Sequence, residues 1–246
     1  MSMTPDLTGR VALVTGGSRG IGAAIALALG QAGANVAINF NESGAAAQKV
    51  ANTVEALGRR AIAIGADVSK SDLVAGMIGK IECALGPIDI LINNAGIGHI
   101  CSIDNLSEAE WDETIAVNLK STFLCTQATY LSMRAKRWGR IVNITSGAAR
   151  GGGGIGVHYN ASKAGMEGLT RGYASQLAKD GITVNAVAPS LIKTDMLPTS
   201  LEEAANRVPV GRAGKPEEVA LVVLMVIANP YQTGQTIQVN GGLSFI

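Results

Sequence analysis

The run Val11-Ala12-Leu13-Val14-Thr15 stops on Gly16-Gly17-Ser18-Arg19-Gly20-Ile21-Gly22, and alanine and leucine then fill residues 23–31 at helical spacing. A buried strand, a glycine turn and a helix in that order form the first part of a βα unit, whose next strand lies parallel to the first. Glycine at 16, 20 and 22 lets the backbone turn sharply and approach a pyrophosphate, which amide groups and the positive helix N-terminus hold. Ser18, Arg19 and Ile21 complete the turn and join the three glycines as candidate cofactor contacts.

The pattern recurs down the chain. Apolar runs at 35–39, 61–65, 88–92, 140–145, 181–187 and 236–239 read as strands, and 73–85, 111–134, 157–179 and 216–228 as helices. This predicts a Rossmann-type α/β fold, a doubly wound parallel sheet of about seven strands in three α/β/α layers. With 246 residues, 47% hydrophobic and 16% charged, a single domain spanning 1–246 can bury a large core. The 31 glycines gather at strand-to-helix junctions, as tight turns close to a ligand require.

A net charge of +1 leaves no basic footprint for nucleic acid. Cys83, Cys101 and Cys125 form no CxxC pair, so neither a disulfide framework nor a metal site is indicated, and a reducing, cytoplasmic compartment is expected. No basic and apolar leader opens the chain, and its longest apolar run, 219–228, falls far short of the ~20 residues that span a bilayer. The expectation is a soluble protein with no membrane partner.

In Rossmann folds an acid at the end of the second strand binds the ribose of NAD, and here Asn39, Phe40 and Asn41 stand in that place. With no carboxylate to repel a 2′-phosphate, and Arg19 in the glycine turn to pair with one, NADP is favoured over NAD, although Glu42 lies nearby. Asp67, followed by Val68, fits either an acceptor for the adenine amino group or the cap of the next helix. The fourth strand ends in Asn93-Asn94-Ala95-Gly96, small and amide residues suited to a crevice where a ring lies against the backbone.

Tyr159 and Lys163 stand four apart in the helix expected at 157–179 and so share a face. A phenol ordinarily titrates near ~10, and a neighbouring ammonium lowers that value, making Tyr159 a usable acid/base catalyst. Ser146, just beyond the strand at 140–145, can hold a carbonyl oxygen beside the phenol.

Taken together, Thr15-Gly16-x-x-x-Gly20-x-Gly22, Asp67, Asn93-Asn94-Ala95-Gly96, Asn118, Ser146 and Tyr159-x-x-x-Lys163 resemble the short-chain dehydrogenases/reductases over nearly the whole chain. The resemblance implies a nicotinamide-dependent oxidoreductase that reduces a ketone to a secondary alcohol, or the reverse. It gives Tyr159 the proton transfer, Ser146 the carbonyl oxygen, Lys163 the nicotinamide ribose, and Asn118 a water linking Lys163 to solvent. Pro189, Ile192 and Thr194 would touch the cofactor from beyond the sixth strand, where Ser190 replaces the family's usual glycine. It also implies a homotetramer, to which the apolar tail 243–246 would contribute.

Within the family, 234–236 and 239–242 look most like 3-oxoacyl-(acyl-carrier-protein) reductases. Those enzymes receive an acidic acyl carrier protein on two basic residues; Arg137 fits the first, and Asp180 occupies the second position. The alternatives are a broad carbonyl reductase, a secondary-alcohol or sugar dehydrogenase, and, from another class, a non-catalytic NADP-binding regulator. His99 and His158 belong to no Ser/His/Asp arrangement, and His158 reads as a pocket-rim or exposed residue. The glycines at 151–154 suit either a mobile, roomy entrance or a tolerated surface loop, and 198–208 reads as a short lid.

Overall fold

The computed structural model describes residues 5–194 and 207–245. Seven parallel strands form one sheet in the order β3-β2-β1-β4-β5-β6-β7. They are β1 (Val11–Val14), β2 (Asn35–Phe40), β3 (Ala61–Gly65), β4 (Ile90–Asn93), β5 (Gly139–Ile144), β6 (Ile182–Pro189) and β7 (Thr236–Val239). Between them run α1 (Gly20–Gln31), α2 (Gly44–Ala56), α3 (Ser71–Leu85), α4 (Glu108–Thr114), α5 (Ser121–Lys136), α6 (Val157–Leu177) and α7 (Pro216–Ala228). The lid expected at 198–208 lies, up to residue 206, outside the described residues.

The strands are apolar without interruption because both faces of the sheet are covered. Ala12 and Val14 of β1 enter one cluster with α1, α2 and α7, while Val11 and Leu13 enter another with α3, α5 and α6. Ile90, Leu91 and Ile92 of β4 are wholly buried, and each such side chain contributes roughly 1.5–3 kcal/mol relative to exposure.

The order of strands puts β1 beside β4, so the chain reverses its direction of winding between them. Such a switch point opens a crevice at the carboxyl ends of the strands. Side chains brace this seam and the strand beside it. At the amino end, buried Asp89 accepts from Val11 N at 3.0 Å and pairs with Lys136 Nζ at 2.8 Å. Across the middle, Asn93 Nδ2 donates to Asn143 Oδ1 at 2.9 Å, and Asn143 Nδ2 to Thr170 Oγ1 at 2.9 Å, tying β4 and β5 to α6.

The helix expected at 111–134 is α4 and α5 joined by a π-helical turn, Ile115–Lys120. Such turns are rare and cluster at functional sites. Ser107 and Glu110 form a reciprocal capping box that starts α4.

Candidate active site

The crevice at the β1–β4 seam is built from the glycine turn upward. Gly16 adopts a left-handed backbone, φ +60, and a methyl there would meet Ala95 Cα at 2.9 Å. A methyl on Gly22 would collide with the Gly16 carbonyl and stand 2.5 Å from Asn94 Nδ2. Side chains are excluded from this cradle; the Gly16 and Gly17 amides donate to Asn39, so a pyrophosphate at the start of α1 would be met by amides further along the turn.

Asn94 Nδ2 donates to the carbonyls of Thr15 and Gly16 at 2.9 and 3.0 Å, and Thr15 Oγ1 accepts from Asn94 N and Ala95 N at 3.0 Å each. Asn39 does similar work: its Oδ1 accepts from Gly16 N at 3.3 Å and its Nδ2 donates to Ala66 O at 3.0 Å. With 1% exposure, Asn39 is a strut of the turn and not the ribose contact expected from its place at the end of β2. Three other expected contacts would fall to the backbone. Ile21 packs on the core, and Val68 and Ile192 are 5% exposed, so their side chains belong to the interior and only their backbones border the crevice.

Asp67 Oδ1 accepts from Ser69 N at 2.9 Å within the turn that precedes α3; it does not cap that helix, whose N-cap position is Lys70. Arg19 is exposed at the start of α1, with Ser18 beside it half-buried. Thr194 reaches the turn from the far side of the seam, its Cγ2 lying 3.3 Å from where a methyl on Gly20 would be. Pro189 ends β6, and Ser190 N donates to Val239 O at 3.0 Å. The Ser190 hydroxyl lies against Gly147, so any side chain at 147 would displace it. Leu191, next in the chain, takes φ +48, a strained conformation for a branched residue that the sequence did not signal.

The catalytic candidates converge on the same crevice. Tyr159 and Lys163 lie on one face of α6, with Lys163 Nζ 5.6 Å from the Tyr159 ring centroid and donating to Ile144 O at 3.0 Å. Gly96 brings the end of β4 to them; a methyl there would stand 3.2 Å from Asn118 Oδ1 and 3.4 Å from Lys163 Nζ. Ser146 lies two residues beyond β5, accepts from Ala148 N at 3.1 Å and hydrogen-bonds Tyr159. Asn118, in the π turn, is wholly buried and donates Nδ2 to Ser162 Oγ at 3.1 Å; Ser162 in turn donates to Tyr159 O at 2.7 Å.

Burial sets the electrostatics. It pushes the Tyr159 phenol above its ordinary value, and the Ser146 hydrogen bond offsets only part of that rise. The expected lowering by Lys163 is therefore corrected: among the chain's own groups, desolvation wins. Lys163 is itself drawn down to about 8 by burial.

His158 corrects another expectation. It is wholly buried, with Nε2 3.2 Å from the His99 carbonyl. Nothing in its sequence neighbourhood marks it as interior, since its partner lies 59 positions away. Among the described residues no group of three or more metal-ligating side chains occurs, and no helix is long and apolar enough to cross a membrane.

The short chain dehydrogenase family profile matches residues 10–205. A 3-oxoacyl-(acyl-carrier-protein) reductase of Synechocystis is 42% identical over 241 residues, 96% of this chain and 98% of its own length. The BbsD subunit of a hydroxy(phenyl)methylsuccinyl-CoA dehydrogenase of Thauera aromatica is 43% identical over 244 residues, 96% of each chain. A crystal structure from Sinorhizobium meliloti, described as a short-chain alcohol dehydrogenase, superposes with a TM-score of 0.91 at 37% identity over 97% of each chain.

Proposed function

The chain belongs to the short-chain dehydrogenase family, an oxidoreductase family, and from that premise we propose that it reduces the 3-oxo group of an acyl thioester with NADPH. The convergence of Ser146, Tyr159, Lys163 and Asn118 beside a glycine cradle carries the reading. The cradle and the small residues at the end of β4 fit a nicotinamide dinucleotide. When bound there, the dinucleotide supplies the hydride.

The chain's own groups handle the oxygen and the proton. Ser146 holds the carbonyl oxygen next to the phenol. Tyr159 donates its proton to that oxygen as the alcohol forms. A phenol kept protonated by burial is the form that a reductase requires. Lys163, with its value near 8, is roughly nine-tenths protonated at pH 7; its ammonium stabilises the phenolate left behind. Both amide hydrogens of Asn118 are taken by Ile97 O and Ser162 Oγ, so Asn118 contributes position to the relay by which solvent restores the proton.

Phosphate selection falls to Arg19, because the end of β2 offers no carboxylate. Adenine falls to Asp67, whose second oxygen is not the one that caps the turn. We read the working protein as a cytoplasmic homotetramer, with Leu243 and the 90% exposed Phe245 at a subunit contact.

The carrier is the point at which a second reading gains support. Asp180 pairs with Arg134 at 2.6 Å and so offsets part of the positive charge at this corner, where the carrier-protein reading wants a second basic residue; Arg137 donates to the neutral Lys179 O at 2.9 Å and keeps its charge. Coenzyme A thioesters or free ketones are the alternative substrates, and the Thauera relative is named for a CoA-linked one. The assembled Tyr159 and Lys163 argue against a non-catalytic regulator.

Oxidation of NADPH and NADH, followed on acetoacetyl carrier protein, acetoacetyl-CoA and simple ketones, tests the proposal. NADPH turnover on the thioesters supports it. Turnover on ketones alone replaces it with a broader carbonyl reductase, and cofactor binding without turnover on any of them replaces it with the regulator.

A further inference from the structure

Each chain neighbour of Tyr159 sends its side chain off the helix to hold a different wall of the crevice. His158 places Nε2 against the His99 carbonyl at 3.2 Å, which assigns the ring proton to Nε2. Its Nδ1 is buried with no partner among the described residues. His99 lies in the segment that follows β4, and that segment is tied a second time where Cys101 N donates to Ile155 O at 2.9 Å. On the other side, Asn160 Nδ2 donates to the carbonyls of Gly151 and Gly152, in the segment that follows β5.

The glycine-rich segment is therefore held, and not at every residue alike. Gly153 takes φ +60, and a methyl there would sit 2.9 Å from Ala148 Cβ and 3.0 Å from Asn160 Oδ1, whereas a methyl on Gly152 or Gly154 would meet nothing within 4 Å. The opposite wall carries Ile100 and Ile103, 66% and 75% exposed, so its outward surface is aliphatic. Both grips end on backbone carbonyls and leave the Ser146 and Tyr159 side chains untouched. They bear on the spacing of the walls and not on the chemistry between them.

We propose that His158 and Asn160 are positioning residues that set the width of the substrate mouth, and with it the bulk of the carbonyl compound that reaches Tyr159. The inference rests on the reading of Tyr159 as the proton donor. Shortening either grip lets one wall move outward and admits a larger substituent, while the small substrate loses the contacts that confined it.

The test compares His158→Phe, which keeps a ring and removes the donor, with His158→Gln, which restores one, and adds Asn160→Asp, which keeps shape and removes both donors. Kinetics run on a series from acetoacetyl to benzoylacetyl thioesters. The kcat/KM ratio of bulky to small substrate should rise by about fivefold or more in His158→Phe and Asn160→Asp, through KM more than kcat, and return toward wild type in His158→Gln. Amide exchange in 97–104 for His158→Phe, and in 150–156 for Asn160→Asp, should quicken by about tenfold while α5 stays unchanged.

A uniform change across the series, or unchanged exchange in both segments, overturns the inference. If the wild type turns over no member of the series, the reading of Tyr159 fails instead. The exchange arm still decides whether these two side chains hold the walls.

Discussion

Asn118 holds the backbone of Ile97 at both of its polar atoms: Oδ1 accepts from Ile97 N at 2.8 Å and Nδ2 donates to Ile97 O at 3.0 Å. One side chain thus replaces a strand partner for the segment just past Gly96, at the π turn where the helix ladder is already irregular. Asn118→Leu leaves the amide and carbonyl of Ile97 without these partners. A stability loss of about 2–4 kcal/mol in a urea titration is expected, together with a kcat lowered by at least about tenfold as the end of β4 shifts against Lys163. A loss within experimental error would show that water replaces the amide without penalty.

Removal of the phenolic hydroxyl isolates the proton transfer. Tyr159→Phe should lower kcat by ~10²–10⁴ while NADPH affinity, read by fluorescence titration, stays within about twofold. Unchanged turnover would move the acid elsewhere.

Lys163 makes stability depend on pH in a defined direction. Its value falls from 10.5 in the unfolded chain to about 8 when folded, so between those values the unfolded state binds more protons and stability rises with pH. Below about 8 both states carry the charge and the folded one bears the full desolvation penalty. Relative to Lys163→Met, the wild type should therefore gain on the order of 2 kcal/mol between pH 7 and pH 9.5 in denaturant titrations. The paired variant cancels the cysteine and tyrosine titrations that act in the other direction at high pH. Parallel pH curves for the two proteins would contradict the burial of an ionisable Lys163.

Phosphate recognition rests on the glycine turn. Arg19→Ala should weaken NADPH binding by about 10–100-fold and leave NADH within about threefold, since a charge-assisted pair is removed from one cofactor only. Equal weakening of both would make Arg19 a support of the turn.

These tests follow how much of the molecule was legible in its residues. The strands were, because burial on both faces demands unbroken apolar runs such as Ile90-Leu91-Ile92. Tyr159 and Lys163 were, because a spacing of four fixes a shared face wherever the helix lies. The helix α2 was not: its stretch is alanine-rich, and its inner face, Ala47, Val50, Ala51 and Val54, becomes a stripe only against β2 and β3. The sign of the Tyr159 shift was hidden for a related reason. Proximity to an ammonium is written in the spacing, whereas desolvation depends on segments from β4 and β5 that fold over the phenol. Asn39 and His158 were misplaced because a polar residue's partner, when it is a backbone atom far along the chain, leaves no trace in the local sequence.

The bonds from Thr15 to Asn94 and Ala95 join residues 79 and 80 positions apart. Translation at ~5–20 residues per second puts roughly four to sixteen seconds between the two ends of that contact. A nascent chain carrying only the glycine turn has the letters of a nucleotide site and none of its shape. Until β4 clears the ribosome, the cofactor has nothing to stabilise, so a cell rich in dinucleotide can assist this chain only after that strand has emerged.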